Sequence, residues 1–222
     1  MTRKIKFGVD EYYHVYNRGV EKRKIFLDKA DREHFVRLLF ISNSTKSFEY
    51  RNIKKLLFED IERGEPLVAI GAYCLMPNHF HLLLREIVPG GISIFMGKFL
   101  TAYSMYFNKK YERKGRLFEN TFQAQYVDND NYLKYLFAYI HLNPIKLIEP
   151  DWKEKGIKDK KAALKYLNEY KYSSYLEYTG VDREESNILS RNIFPEYFEQ
   201  TQDFSEFIND WLTFQKENGI TL

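Results

Sequence analysis

Cysteine is almost missing from this chain: Cys74 stands alone among 222 residues, so no internal disulfide can form and the fold must hold by packing. The start, Met1-Thr2-Arg3-Lys4-Ile5-Lys6-Phe7-Gly8, has none of the apolar core of a signal peptide. Nowhere does an apolar run approach the roughly 20 residues of a membrane span. These absences lead us to expect a soluble protein of a reducing cytoplasm, with no membrane partner. Charge of one sign is scarce too: 34 Lys and Arg stand against 31 Asp and Glu, a net of +3. That balance permits nucleic-acid binding without demanding it, so local clusters matter more than the total. What the chain does have is apolar mass. With 44% hydrophobic and 17% aromatic residues it can bury one domain with an appendage, or two small ones.

The stretch Tyr73-Cys74-Leu75-Met76-Pro77-Asn78-His79-Phe80-His81-Leu82-Leu83-Leu84 organises the rest. It is apolar enough for a buried strand, yet it carries two histidines. On a strand, His79 and His81 leave the same face and Phe80 the opposite one, while Leu82 to Leu84 continue as a run buried on both sides. Two imidazoles on one rigid face can share a metal ion. Such a pair also occurs as ordinary half-buried histidines, so the metal reading needs a third ligand.

In chain order, residues 11–19 are aromatic, β-prone and end in an Asn17-Arg18-Gly19 turn signal. His14 on this first strand reads first as a hydrogen-bonded structural residue, with ligand or base as the alternative. Asp28 suits the N-cap of a helix bearing Phe35, Leu38, Leu39 and Ser42 and ending near Asn43. A polar insertion near 44–66 carries a short helix around Ile53, Leu56, Leu57 and Ile61. Strands over 67–75 and 79–86 pair antiparallel through the tight turn Met76-Pro77-Asn78. Pro89-Gly90-Gly91 then opens a helix over 93–109 with Phe95, Met96, Phe99, Leu100, Tyr103 and Phe107 on one face. A strand over 122–127 follows, and Asp128 or Asp130 caps a helix over 131–142. This order predicts an α+β fold, a ferredoxin-like βαββαβ antiparallel sheet with an appended helix.

On the appended helix Leu133, Leu136, Phe137 and Ile140 form a core stripe, and Tyr132, Tyr139 and Asn143 lie on a flank. Helical geometry alone does not choose Tyr139 over Tyr132 or Tyr135. Pro144 is expected to stop the helix at Asn143, whose amide can cap or coordinate. We divide the chain into a domain over 1–150 and a helical C-terminal extension over 151–222. The extension has a charged helix over 160–170 and, over 192–214, aromatics interleaved with acids. We read the latter as an acidic aromatic helix pair that packs on the first domain or offers a partner surface, and does not touch DNA.

Three segments together carry a resemblance: Tyr13-His14-Val15-Tyr16-Asn17-Arg18-Gly19, Met76-Pro77-Asn78-His79-Phe80-His81 and Tyr139-Ile140-His141-Leu142-Asn143-Pro144-Ile145-Lys146. In this order they resemble the signatures of REP-associated tyrosine transposases, relatives of the single-tyrosine insertion-sequence transposases in the HUH endonuclease superfamily. Tyr172-Ser173-Ser174-Tyr175 extends the resemblance past the helix. It implies single-stranded DNA cleavage and joining, beside a hairpin, through a covalent 5′-phosphotyrosine. Carried over residue by residue, it implies that His79, His81 and Asn143 hold a divalent metal, Mg²⁺ or Mn²⁺, and that Tyr139 is the nucleophile.

The chemistry is consistent with those roles. Two imidazoles and an amide oxygen leave positions open for a phosphate on Mg²⁺ or Mn²⁺. A phenol of pKa about 10 needs help to attack at neutral pH, and no residue of the sequence declares itself as the base. For DNA contact we expect two basic loop clusters, Arg18, Lys22, Arg23 and Lys24, and Lys109, Lys110, Arg113, Lys114 and Arg116, with Tyr12, Tyr16 and Tyr111 free to stack on unpaired bases. The expected partner is single-stranded or hairpin DNA, bound by a monomer or homodimer. Two other readings compete: a non-catalytic ferredoxin-like nucleic-acid-binding protein, which has no use for the histidine pair, and a metal-dependent nuclease using water, which leaves Tyr139 idle.

Overall fold

The computed structural model describes residues 5–198 and 200–213. Residues 1–4 and Phe214 therefore lie outside it, and with them part of the start-of-chain reading and the last aromatic of the tail. The elements in order are β1 (Tyr12–Arg18), α1 (Lys29–Ser42), α2 (Tyr50–Ile53), β2 (Val68–Met76), β3 (His79–Glu86), α3 (Gly91–Lys110), β4 (Gln123–Val127), α4 (Asp130–Leu142), α5 (Trp152–Lys155), α6 (Lys160–Glu169), α7 (Tyr175–Tyr178) and α8 (Thr201–Thr213). The strands lie in the order β2-β3-β1-β4 and every pairing is antiparallel. The fold is thus the ferredoxin-like βαββαβ sheet, with α4 appended and a helical extension beyond it.

Strand alternation divides this sheet into two unlike faces. Tyr13 and Val15 of β1 join Ile70, Tyr73 and Leu75 of β2 and Phe80, Leu82 and Leu84 of β3 in one core, covered by α1 and α3. Phe35 of α1 anchors it, with ring centroids 4.5 Å from Phe99 and 5.1 Å from Phe80. Asp28 and Asp31 form a reciprocal capping box at the start of α1, which fixes where that helix begins. The other face presents small residues, Ala69, Ala72 and Cys74, so α4 can approach β2 closely and bury Leu133, Leu136, Phe137 and Ile140. Gly71 serves the same closeness: a Cβ there would stand 2.6 Å from the Phe194 ring.

The extension shares this second core. Ala163 and Leu167 of α6, Tyr175 and Tyr178 of α7, and Phe204, Ile208 and Leu212 of α8 pack into it. Tyr172-Ser173-Ser174 runs along the outer edge of β2, where Leu75 donates its N–H to Tyr172 and Ser174 donates to Tyr73. That pairing covers an otherwise open strand edge.

Three local expectations are corrected. The helix in the insertion is α2 and ends at Ile53, because Phe58 is drawn into the core and stacks on Phe40 at 4.6 Å, which takes the chain out of helical phase. Asn129, between the two aspartates expected to cap, is the N-cap of α4 and accepts from the Tyr132 N–H at 2.8 Å. The α-helix does end as expected before Pro144, at Leu142 with Asn143 as its C-cap, and Pro144 then falls in the first turn of a 3₁₀ segment, Asn143–Leu147, where a missing N–H costs nothing. The tail forms one helix over its last aromatics, α8, and Phe194 to Phe198 are not helical. Among the described residues, no helix is long and apolar enough to cross a membrane.

Candidate active site

β3 sets the histidines. His79 opens the strand directly after the Pro77-Asn78 turn and stands opposite Arg18, while His81 stands opposite Tyr16. Their rings lie on one face with centroids 5.0 Å apart. Each ring is held through Nδ1: that of His79 is 2.7 Å from Asn78 Oδ1, and that of His81 is 2.9 Å from Nε2 of His14. His14 and His81 are diagonal neighbours across β1 and β3, within reach of long side chains. His14 is therefore a hydrogen-bonded strand residue, and the ring it orients is His81.

Burial pushes the three imidazoles down, to about 3 for His14 and about 4 for His79 and well below the usual range for His81, with Lys153 adding positive charge in each case. All three are neutral at pH 7, the form in which a histidine ligates metal. Nε2 of His79 and of His81 makes no hydrogen bond among the described residues. Asn143 gives its Nδ2 to the Tyr139 carbonyl at 2.8 Å and keeps Oδ1 as its remaining donor atom. Two neutral imidazoles, oriented by Asn78 and His14, are donors that suit a divalent cation, and the Asn143 amide oxygen is a donor of compatible kind. Among the described residues no three His, Cys, Asp or Glu side chains come together as a metal cage.

α4 brings Tyr139 to the same place. Its ring centroid is 5.4 Å from His81 and 5.6 Å from His14, both edge-on. Tyr135 and Tyr132 follow it along the helix flank at successive ring separations of 5.7 and 6.0 Å, and neither has a ring contact with a histidine. Burial raises the Tyr139 hydroxyl, and Asn143 draws it partly back. Against the ring, Nζ of Lys153 lies 3.9 Å from the centroid. Burial and neighbouring Lys146 lower the Lys153 ammonium to about 8. Lys153 sits on α5, in the extension, and no local pattern in the sequence announces it.

Behind Tyr139, His141 is wholly buried and forms a relay of hydrogen bonds. The Tyr73 N–H donates to Ser174 Oγ at 2.9 Å, Ser174 Oγ lies 2.7 Å from His141 Nε2, and His141 Nδ1 lies 2.8 Å from the Phe137 carbonyl. With Nδ1 carrying the proton, Nε2 accepts from the Ser174 hydroxyl. Ser174, one of the two serines singled out in the sequence, thus pins the helix that carries Tyr139 to β2.

The two basic clusters meet. Gly19 bridges to Phe118 and the Val20 N–H donates to Leu117, so the loop after β1, which begins at Arg18 opposite His79, lies along the segment that follows α3. Lys22, Lys24, Lys109, Lys114 and Arg116 are exposed. Arg18 pairs with Glu119, Arg23 with Glu21, and Arg113 donates to Asn108. Lys110 is otherwise engaged: it bonds to Asp28 and to fully buried Asp31, each at 2.7 Å. Tyr111 donates to Asp31 as well, at 2.8 Å. These two residues close the end of α3 onto the start of α1 and are not free for DNA. Tyr12 packs against Phe194, which leaves Tyr16 as the one tyrosine of the expected three beside the histidines.

Fold and site together define a ferredoxin-like α+β protein whose sheet presents a histidine pair to a helix tyrosine. The family described as IS200-like transposases matches residues 10–143, more than half of the chain, and this protein belongs to that family of DNA-processing proteins. The family expected from the three motifs is borne out at that level. No curated protein matches the chain. Among solved structures it is similar to a REP-associated tyrosine transposase bound to a REP hairpin, at 11% identity and a TM-score of 0.47 over 83% of this chain and 90% of that one.

Proposed function

We propose that this protein is a single-strand DNA endonuclease and strand transferase of the REP-associated type, acting beside a hairpin through a covalent 5′-phosphotyrosine on Tyr139. The observation that carries this reading is the meeting of Tyr139 with His81 and His14 within 5.4 and 5.6 Å, under the charge of Lys153. A structural tyrosine has no need of a half-buried cation on its ring, or of imidazoles kept neutral with unbonded nitrogens.

On this reading the Tyr139 oxygen bonds to the scissile phosphorus, the bond from phosphorus to O3′ breaks, and the 3′-OH leaves with the proton that the phenol gives up. Because the phosphotyrosine ester conserves the bond energy, a 3′-OH can reverse the step and rejoin strands without ATP. His79, His81 and Asn143 would hold the Mg²⁺ or Mn²⁺, which when bound supplies charge that polarises the phosphate. His14 keeps His81 in one tautomer and orientation. Lys153 offsets negative charge as the phenol loses its proton. Residues 1–150 form the catalytic domain, and 151–222 an extension that lends it Lys153.

The test is a fluorescent single-stranded oligonucleotide carrying a stem-loop, incubated with protein and Mn²⁺ and run on a denaturing gel. A covalent protein–DNA band is expected. Free fragments without adduct would point to hydrolysis by water, and intact oligonucleotide that is nonetheless bound would point to a non-catalytic binding protein.

A further inference from the structure

A cavity of about 880 Å³ opens beside Tyr139 and His81, and its far wall comes from the extension. The aromatic tail packs on the first domain, as expected, and α8 does so beside the candidate site. Asp203, Glu206 and Asp210 are exposed on its outer side, Phe204, Ile208 and Leu212 are buried against the core, and Phe207 and Trp211 line the cavity. Facing them on α4 are Tyr132 and Tyr135, with the Trp211 and Tyr135 rings 5.4 Å apart. Gln125 of the edge strand β4 and Asn131 bring amides to the same lining.

We propose that this cavity binds an unpaired nucleobase of the DNA strand that lies at Tyr139. The proposal rests on the nuclease reading for the path of the strand and adds the site that grips it. Four features favour a nucleobase over other flat apolar ligands. The cavity is continuous with Tyr139 and His81, so a strand with a phosphate there has its adjoining nucleotide at the opening. Its volume lies inside the roughly 300–1,000 Å³ of pockets that enclose small organic groups. Its aromatic faces suit stacking, which is tolerant of base identity, and its two amides can donate to and accept from a base edge. Lys146 and Lys153 make the adjoining floor positive, as the polyanionic backbone requires. The aromatic residues of α8 are then a specificity element, and the extension is part of the DNA-binding site.

The test separates base from backbone. Binding of fluorescein-labelled oligothymidylate is compared with binding of an abasic chain of equal length, in EDTA so that nothing is cut, for the unmodified protein and for Trp211→Ala. Stacking of about 1–3 kcal/mol per base corresponds to a loss of roughly 5- to 150-fold. The unmodified protein should lose that much when the bases are removed, and Trp211→Ala should lose it on oligothymidylate but show little further loss on the abasic chain. Additive losses, or equal affinity for the two oligonucleotides, would overturn the pocket. Should Trp211→Ala not fold, Trp152→Phe leaves Trp211 as the sole tryptophan of two, and its emission should change with oligothymidylate and not with the abasic chain. No change with either would overturn the proposal as well. Because these readings are made without cleavage, a covalent adduct with no base dependence would refute the pocket alone, whereas base-dependent binding with no adduct would refute the nuclease reading alone.

Discussion

The two faces of the sheet are built from the same four strands and do opposite things. Toward α1 and α3 the strands offer Tyr13, Val15, Phe80, Leu82 and Leu84, and the helices answer with Phe35, Phe95, Phe99 and Tyr103. Toward α4 they offer Ala69, Ala72 and Cys74, small groups over which α4 and the extension pack a second core, and beside them His14 and His81, polar groups left to the candidate site. The contrast is legible within single strands: Phe80 sits between two histidines, and its burial on the first face is what holds them rigid on the second. One face is packed wholly with apolar side chains, while the other also keeps neutral imidazoles and an open cavity.

The most severe way to break that division is Tyr139→Phe. It removes one oxygen on the functional face, so the covalent adduct should vanish entirely while the thermal midpoint moves little, and Tyr132→Phe and Tyr135→Phe should retain adduct formation. Mass spectrometry of the digested adduct locates the nucleotide; finding it on Tyr132 or Tyr135 would refute the assignment. The converse experiment is Phe35→Ala on the structural face. A wholly buried Phe lost from a close-packed core costs about 3–5 kcal/mol. Urea unfolding should show that loss, and protein that stays folded at low temperature should still form the adduct. A normal midpoint in Phe35→Ala would mean that the α1 and α3 face is not where stability resides.

How much of this could be read from residues follows the same division. The alternating strands, the Asp28 cap and the helical faces are local patterns, so the fold and the His79–His81 pair were legible within a residue or two at most boundaries. His14 was legible as a hydrogen-bonded histidine, but naming its partner requires the β1–β3 register. Lys153, Phe207, Trp211 and the Ser174–His141 bond were not legible, because each depends on where the extension folds back. Lys110 and Tyr111 looked like DNA contacts for the opposite reason: composition shows a basic loop, and only the structure shows buried Asp31 beneath it.

Residues that act through others should give intermediate effects. His14→Gln removes the partner of His81 Nδ1 as it stands, and loss of such outer-shell bonds typically costs 10- to 100-fold in metal affinity or activity. Lys153→Met keeps the aliphatic stem against the Tyr139 ring and deletes the charge. It should slow adduct formation on the order of tenfold, less than the hundredfold or more expected for a direct oxyanion donor. Single-turnover rates with excess protein report both. If Lys153→Met matches the unmodified protein while oligonucleotide binding is also unchanged, the lysine is a packing residue and the extension contributes only its aromatic wall.

The mildest expected effect is a pH dependence of stability that belongs to the functional face. His141 is buried between Ser174 and the Phe137 carbonyl, and burial pushes it down to about 3, against about 6.5 in an unfolded chain. Between those values the unfolded state binds the proton and the folded state does not. Stability therefore rises with pH across this window and is lost as pH falls below about 6.5, the loss levelling off near 3. By pH 5.5 a single such group costs about 1.4 kcal/mol. His14 and His81 are held down by burial in the same way and steepen the fall. Urea unfolding at pH 7.5 and 5.5, in EDTA so that no metal contributes, should show the difference, and His141→Gln should reduce it by about one group's share while lowering stability at both pH values. Equal stability at the two pH values would mean that these imidazoles are solvated or already charged, and the proposal that neutral, oriented histidines hold a metal would fall with that result.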